Sequence, residues 1–261
     1  MTITDSNVPG GKPMIRTITA EDVYAALAAG WADFRAVPAF GLFFGGIYAA
    51  AGIAILLTLW VVGLPVWIIP FALGFPLIGP FVAIGLYEVS RRREEGLPLD
   101  WDAILSAVWG QRERQIPSMA FVVLAAVLVW LWAAAVLVIL FLGRSGGYSD
   151  FGAILGSANG TALVLTGTIV GGVIAFLLFA LTAVSLPMLL DRDVDYVTAM
   201  VASWQAVTSN LQPMLHWAWI VAASLFVGML PLFLGLVVAL PVLGHGTWHL
   251  YRKVIAPERG V

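Results

Sequence analysis

The chain has 261 residues, of which 61% are hydrophobic and 11% are charged, and its mean hydropathy is +0.97. Soluble domains are about half apolar, so this composition excludes a soluble domain and predicts an integral membrane protein. Cysteine is absent, which excludes disulfides and cysteine catalysis. The net charge is only -2, and we expect no nucleic-acid partner.

The chain begins with a polar segment. Residues 1–18 contain Pro, Gly and polar residues without apolar periodicity, which predicts a flexible cytoplasmic tail. This segment lacks the apolar core of a secretory signal, so we expect the first apolar segment to be retained. Residues 19–255 form the predicted membrane domain.

Apolar stretches long enough to cross a bilayer, which takes about 20 helical residues, follow in chain order. They comprise residues 38–62, 66–87, 116–142, 161–190 and 215–251. The last stretch is long enough for two short spans that turn near residues 228–231. The predicted fold is therefore all-α, a polytopic transmembrane helical bundle with about six spans in three hairpins.

Three ten-residue segments share Asp at the first position, Leu or Met at the sixth, Ala at the eighth and Trp at the tenth. They are DVYAALAAGW (22–31), DWDAILSAVW (100–109) and DYVTAMVASW (195–204). Their second, sixth and tenth positions form one apolar stripe, which is typical of an amphipathic helix in the membrane interface. Each segment precedes a hairpin, which indicates repeat units of about residues 22–93, 100–194 and 195–254.

The polar and aromatic ends of these segments are candidate functional positions. Tryptophan suits the headgroup depth, which makes interfacial anchors of Trp31, Trp109 and Trp204. An initial Asp caps a helix for about 1 kcal/mol. Alternatively, the three aspartates converge on a cation or a lipid headgroup. With Glu88, they make up the candidate polar cluster Asp22, Asp100, Asp195 and Glu88.

Glu88 has two interpretations of its own. It lies beside Arg91 and Arg92 at the predicted cytoplasmic end of span two, where it would join an interfacial ion pair. The alternative is a carboxylate that faces a transport cavity, because intramembrane charge often marks such a path. Prolines at positions 70, 76 and 80 would break the same span and free carbonyls for a solute.

The histidines and the small residues suggest further contacts. His245 and His249 are one helical turn apart, and His216 is expected on the same side, so the three are candidate metal ligands. Interfacial histidines need no metal, and we expect no cofactor. Gly41 and Gly45, like Gly167 and Gly171, have the spacing that lets membrane helices approach closely.

The distribution of basic residues predicts orientation. All thirteen except Arg144 fall on one side of the six predicted spans. Because the cytoplasmic side retains Lys and Arg, both termini are expected in the cytoplasm.

Three stretches carry a resemblance to a known family. They are GFPLIGPFVAIGLYEVSRRREEG (74–96), SLPMLLDRDVD (185–195) and GTWHLYRKV (246–254). With them, the chain from about residue 18 to residue 254 resembles a family of predicted bacterial inner-membrane proteins, grouped as a domain of unknown function. The resemblance implies a multi-pass protein of that membrane and transfers no catalytic or binding residue.

Two functions are consistent with these features. The first is a non-enzymatic accessory or assembly protein that organises lipid or a partner, because the repeated Trp-bearing helices occur without charge in the central parts of the spans. Its expected partners are the lipid bilayer and a membrane protein or a second copy of the chain. The alternative is a small-solute transporter or channel that uses the proline-containing second span.

Overall fold

The computed structural model describes residues 13–63, 67, 71, 75, 79–110, 116–143 and 156–256. These residues are α-helical apart from connections and one isolated bridge. The first predicted repeat unit contains α1 (Ala20–Ala36), α2 (Pro38–Val61) and α3 (Gly79–Glu94). The second contains α4 (Trp101–Gly110), α5 (Ile116–Leu142), α6 (Ala158–Thr182) and α7 (Ser185–Asp191). The third contains α8 (Tyr196–Ser209), α9 (Leu211–Met229) and α10 (Leu236–Val254).

The all-α transmembrane class is confirmed. Within the described residues, four helical segments are long and apolar enough to cross a membrane: Pro38–Val61, Pro117–Leu142, Ala158–Asp191 and Leu211–Met229. They correspond to predicted spans one, three, four and five. Span two falls partly on residues outside the described ranges, and α10 carries polar and charged residues in its second half. The total of six spans therefore stays a prediction.

The last apolar stretch forms two helices, as predicted. α9 ends at Met229 and α10 begins at Leu236. Leu232 and Phe233 between them have φ values of 51° and 66°, in the left-handed region that few side chains adopt. This turn reverses the chain, so that α10 packs along α9 and along α1, α2 and α3.

α10 is the helix around which α1, α2 and α3 pack. Pro241 lies inside it and cannot donate to the carbonyl of Val237. Gly45 of α2 packs against this carbonyl, and a Cβ at Gly45 would lie 2.8 Å from its oxygen. A Cβ at Gly41 of α2 would lie 2.6 Å from the Phe34 ring of α1 and 3.0 Å from Pro241 Cβ. The prediction that these glycines permit close helix approach is confirmed.

The second hairpin, α5 and α6, packs mainly on itself and is attached through α7 and α8. A Cβ at Gly171 would lie 2.5 Å from the Trp130 ring, whereas Gly167 has no neighbour within 4 Å. Only the first of these two glycines therefore makes a close contact among the described residues.

The two ends of the described chain meet. Ile15 forms an antiparallel bridge with Ile255, and the Arg16 amide donates to the Val254 carbonyl at 2.7 Å. The Asn210 side chain accepts from the Ile18 amide at 2.9 Å and donates to the Arg16 carbonyl at 3.1 Å. The last residues of the predicted tail are thus bonded to the start of α9 and the end of α10.

Candidate functional site

Among the described residues, the charged side chains lie at one end of the bundle. We call it the polar end, comprising residues 15–36 with α1, residues 88–94 of α3, α4, residues 185–209 with α7 and α8, and residues 245–256 with the end of α10. Packing of α1 along α10 brings their backbones together, since a Cβ at Gly30 would lie 2.5 Å from the Gly246 nitrogen. This close approach places side chains of α1, α3 and α10 within bonding distance of one another.

Asp33 is the centre of the main polar cluster. Its Oδ2 accepts from Ser90 Oγ at 2.6 Å and lies 2.8 Å from His249 Nε2. Its Oδ1 lies 3.2 Å from Arg93 Nε. Asp33 is only 6% exposed, so these contacts join α1 to α3 and α10 in surroundings where an unpaired charge would be costly.

The cluster fixes the tautomer of a second histidine. An ionised carboxylate only accepts, so Ser90 gives its proton to Asp33 and accepts from His245 Nδ1 at 2.8 Å. His245 Nε2 then carries the lone pair. This nitrogen is buried and has no hydrogen-bond partner among the described residues.

Burial and neighbouring charges set the protonation states. Burial lowers the pKa of His245 to about 4, against the opposing effect of Asp33. Burial raises the pKa of Asp33, but hydrogen bonds from His249 and Ser90 and the nearby histidine charges outweigh it, and the pKa is lowered overall. At neutral pH the cluster therefore contains an Asp33 carboxylate and a neutral His245.

Glu88 lies beside this cluster and has its own partners. The Arg91 guanidinium binds both of its carboxylate oxygens at 2.8 Å, and Arg92 Nε donates to it at 2.6 Å. Arg92 also donates to the Pro98 carbonyl at 2.9 Å. Glu88 is 1% exposed. The contacts agree with the ion-pair interpretation and connect α3 to the segment before α4.

A third group of contacts joins α7 and α3 to the end of α10. Tyr251 Oη donates to Asp191 Oδ2 at 2.5 Å, and Arg252 Nη1 lies 3.3 Å from the same oxygen. Arg252 Nε also binds Glu94 at 3.0 Å, and the indole NH of Trp248 donates to this carboxylate at 3.0 Å. Burial, followed by the Asp191 charge, raises the pKa of Tyr251.

The three predicted capping aspartates have local partners. Asp100 accepts from the Ala103 amide at 2.7 Å, and Asp195 accepts from the Thr198 amide at 2.9 Å. Both lie at the predicted cap position. Asp22 does not, because Thr19 caps α1 and Asp22 completes a capping box from inside the helix.

Asp22 also binds a basic residue, with Lys253 Nζ 2.9 Å from its carboxylate. Within the described residues, no bond joins any two of the three aspartates. Their convergence on one lipid headgroup stays a prediction.

The predicted tryptophan anchors are exposed. The exposed fractions are 45% for Trp31, 67% for Trp109 and 40% for Trp204. Such exposure of large aromatic side chains is suited to membrane headgroups or to a partner.

The predicted metal ligands separate. His216 packs edge-on against Tyr24 with ring centroids 5.1 Å apart, whereas His245 and His249 bind Ser90 and Asp33. In the part of the chain that the structure describes, no three His, Cys, Asp or Glu side chains are grouped to hold a metal.

Sequence reasoning missed Asp33, Ser90 and Arg93. One signal was present, because Asp33 lies near the end of α1, where the helix dipole disfavours a negative charge. A carboxylate in that position indicates a compensating partner from elsewhere in the chain. The partners, however, come from α3 and α10.

The cluster is arranged to hold helices together. The Ser90 proton is directed to Asp33, so His245 does not act as a base toward that hydroxyl, as a nucleophilic serine requires. Ser90 and His245 are both fully buried. The Asp33 cluster is therefore a buried hydrogen-bond network, which fixes the positions of α1, α3 and α10 relative to one another.

One comparison with known proteins gave a match to a protein family. Residues 68–191 match the family described as "Predicted integral membrane protein (DUF2189)". The match contains the first stretch quoted above and part of the second, whereas residues 246–254 lie beyond it. Comparison with curated proteins and with solved structures gave no match. Just under half of the chain, residues 68–191, is therefore similar to the DUF2189 family of predicted integral membrane proteins, a domain of unknown function.

Proposed function

We propose that this is a non-enzymatic membrane protein whose polar end organises lipid or a partner membrane protein, as an accessory or assembly factor. The observation that carries the proposal is how the polar end uses its side chains. Asp33 and Asp191 bind side chains of neighbouring helices, while tryptophans are exposed. Paired charges keep a surface rigid, and exposed aromatic side chains supply binding area.

We further propose that the polar end faces the cytoplasm of a bacterium from its inner membrane, with both termini on that side. Supporting this, the described basic residues lie at the polar end. The bridge between Ile15 and Ile255 brings the two ends of the described chain together there. Positive residues remain preferentially in the cytoplasm, which supports this orientation.

Co-purification tests the organising function. The protein is extracted directly from membranes into polymer nanodiscs, and its lipids and proteins are quantified by mass spectrometry against the bulk membrane. We expect one lipid class or one membrane protein to be enriched. Unaccompanied protein in lipid of bulk composition would contradict the proposal.

Matched tryptophan variants assign the enrichment to the polar end. The test variant replaces the three predicted anchors, Trp31, Trp109 and Trp204, with Ala. The control replaces three exposed tryptophans within candidate spans, Trp60, Trp132 and Trp219, which are 70%, 70% and 73% exposed. The test variant should lose the enrichment and the control should keep it.

The transporter or channel alternative stays a prediction, and the buried Glu88 is the observation that favours it. Its carboxylate is bound by two arginines, so transport would require that these ion pairs open. Solute flux in proteoliposomes that disappears in Glu88→Gln would favour the alternative. An impermeable protein would remove it.

A further inference from the structure

We propose that α4 lies in the headgroup region of the bilayer, with the edge that carries Trp101 and Leu105 in contact with phospholipid. Among the three repeated helices, α4 is the one in which the second and sixth positions of the apolar stripe are both exposed. The inference rests on the proposed function and deepens it by naming the occupant of this part of the polar end.

The three helices have the same sequence pattern but different surroundings. Val23, at the second position of the first segment, is fully buried in the main hydrophobic core. Met200, at the sixth position of the third segment, packs against the same core. The corresponding positions in α4 are outward. Trp101 is 39% exposed and Leu105 is 38% exposed.

Aromatic contacts set the depth of α4. The Trp101 ring lies 4.2 Å from the Phe40 ring and 5.1 Å from the Phe43 ring, measured between centroids. Both phenylalanines belong to the first turns of α2, the candidate span that begins at Pro38. α4 therefore lies at the level where that span enters the apolar part of the membrane.

The opposite side of α4 is fixed to the protein. Ile104 is fully buried in a core cluster with Phe40, Phe44 and Val89. The Asp100 cap and the Arg92 bond to the Pro98 carbonyl hold the start of α4 and the segment before it. The outward edge is therefore presented in a defined orientation.

The outward edge continues a surface that must meet lipid. Leu42, Phe43 and Ile47 of the same candidate span are 47%, 42% and 54% exposed. The Trp101–Phe43 contact joins this surface to α4 without a polar side chain between them. Lipid is the occupant that covers both parts, because it already surrounds an exposed span.

Neighbouring residues of α4 provide a matched measurement. Ser106 is exposed like Leu105, but it is displaced by about 100° around the helix. The chain has no cysteine, so Leu105→Cys and Ser106→Cys each place one nitroxide label without background. Electron paramagnetic resonance in phospholipid vesicles then compares label collisions with oxygen, which concentrates in lipid, and with a water-soluble nickel chelate.

We expect the label at position 105 to collide several-fold more with oxygen relative to nickel than the label at position 106. Equal, high nickel accessibility at both positions would show that α4 stands in water and overturn the proposal. Low accessibility to both reagents at position 105, with an immobilised label, would show that protein covers this edge and would also overturn it. Glu21→Cys and Phe121→Cys, on an exposed α1 position and on a candidate span, calibrate water and lipid.

The two proposals fail in different ways. Lipid composition is measured on the same labelled proteins in nanodiscs. If α4 stands in water but lipid or a partner remains enriched, the placement of α4 is wrong and the organising function survives. If α4 lies in lipid but nothing is enriched, the organising function is wrong. Circular dichroism and monodisperse elution establish that each variant is folded.

Discussion

The most direct perturbation of the polar end is Gly30→Ala, because this glycine lies where α1 and α10 touch. An added Cβ would lie 2.5 Å from both the Gly246 nitrogen and the Val242 carbonyl oxygen. These atoms belong to the backbone of α10, so no side-chain rotation relieves the contact. Favourable carbon contacts require about 3.5 Å, which means that the two helices must separate by about 1 Å.

The cost of this separation follows from what it disturbs. Overpacking a close contact costs about 1–3 kcal/mol, and weakening the bond between Asp33 and His249 adds about 1–2 kcal/mol. The higher helix propensity of alanine offsets up to about 1 kcal/mol of this loss in unfolding free energy. The net expectation is a loss of about 1–5 kcal/mol, which corresponds to a Tm lower by roughly 2–20 °C.

Thermal unfolding in a mild detergent, followed by tryptophan fluorescence, measures the change. Gly46→Ala is the matched control, since it makes the same substitution in a helix where, apart from that helix's own backbone, no atom of the described residues lies within 4 Å of the added Cβ. Its Tm should be unchanged or slightly higher. Equal Tm values for wild type and both variants would refute the inferred contact between α1 and α10.

Three further predictions concern the Asp33 cluster. Asp33→Asn should lower unfolding stability by about 3 kcal/mol in chemical denaturation, because it leaves buried partners unbalanced, whereas Asp102→Asn at the exposed start of α4 should change it by less than about 0.5 kcal/mol. Equal effects would be inconsistent with the cluster. Ser90→Ala should cost about 1–3 kcal/mol in the same assay, since it leaves His245 Nδ1 without its acceptor, and an unchanged midpoint would argue against that hydrogen bond. The pKa of His245 is lowered to about 4 from an unfolded value near 6.5, so the unfolded state binds more protons between these values. The free energy of unfolding is therefore highest, with respect to this group, above pH 6.5, where His245 is neutral in both states. It falls by about 3 kcal/mol as the pH drops toward 4, because the unfolded state takes up the proton first. His245→Asn should flatten the Tm profile in that window, and an unaltered acid dependence would exclude His245 as its source.

The candidate spans could be predicted because length and hydropathy are local properties. The expected span at residues 38–62 corresponds to Pro38–Val61, and the expected turn near residues 228–231 overlaps the start of the connection at residues 230–235 between α9 and α10. Span two illustrates the limit, because most of residues 64–78 lies outside the described ranges. The prolines at positions 70 and 76 fall there, and the side chain of the proline at position 80 also lies outside the description.

Helix caps could be predicted where one residue decides them. Asp100 and Asp195 cap their helices as expected, each by bonding an amide three residues later. At the first segment, Thr19 is the N-cap because its side chain accepts from the Asp22 amide. α1 therefore begins three residues earlier than the repeat indicated. The repeated pattern therefore predicted the wrong start for α1, although it predicted the starts of α4 and α8 correctly.

The polar cluster could not be predicted because it depends on tertiary packing. Ser90 is 57 residues from Asp33 in sequence, and His249 is 216 residues away. Only the docking of α1 on α10 brings these side chains together, and that docking depends on Gly30 and Gly246 at one crossing. The sequence contains all of these residues, but it does not indicate which turn of α1 lies against which turn of α10.

A density map of the protein in native membrane nanodiscs tests the organising function most directly. The proposal predicts ordered lipid or a second protein against the exposed side chains of the polar end, with the Trp101 edge of α4 at headgroup depth. A water-filled passage from the polar end past Glu88 into the bundle, with no ordered lipid or partner at that end, would contradict it and favour transport.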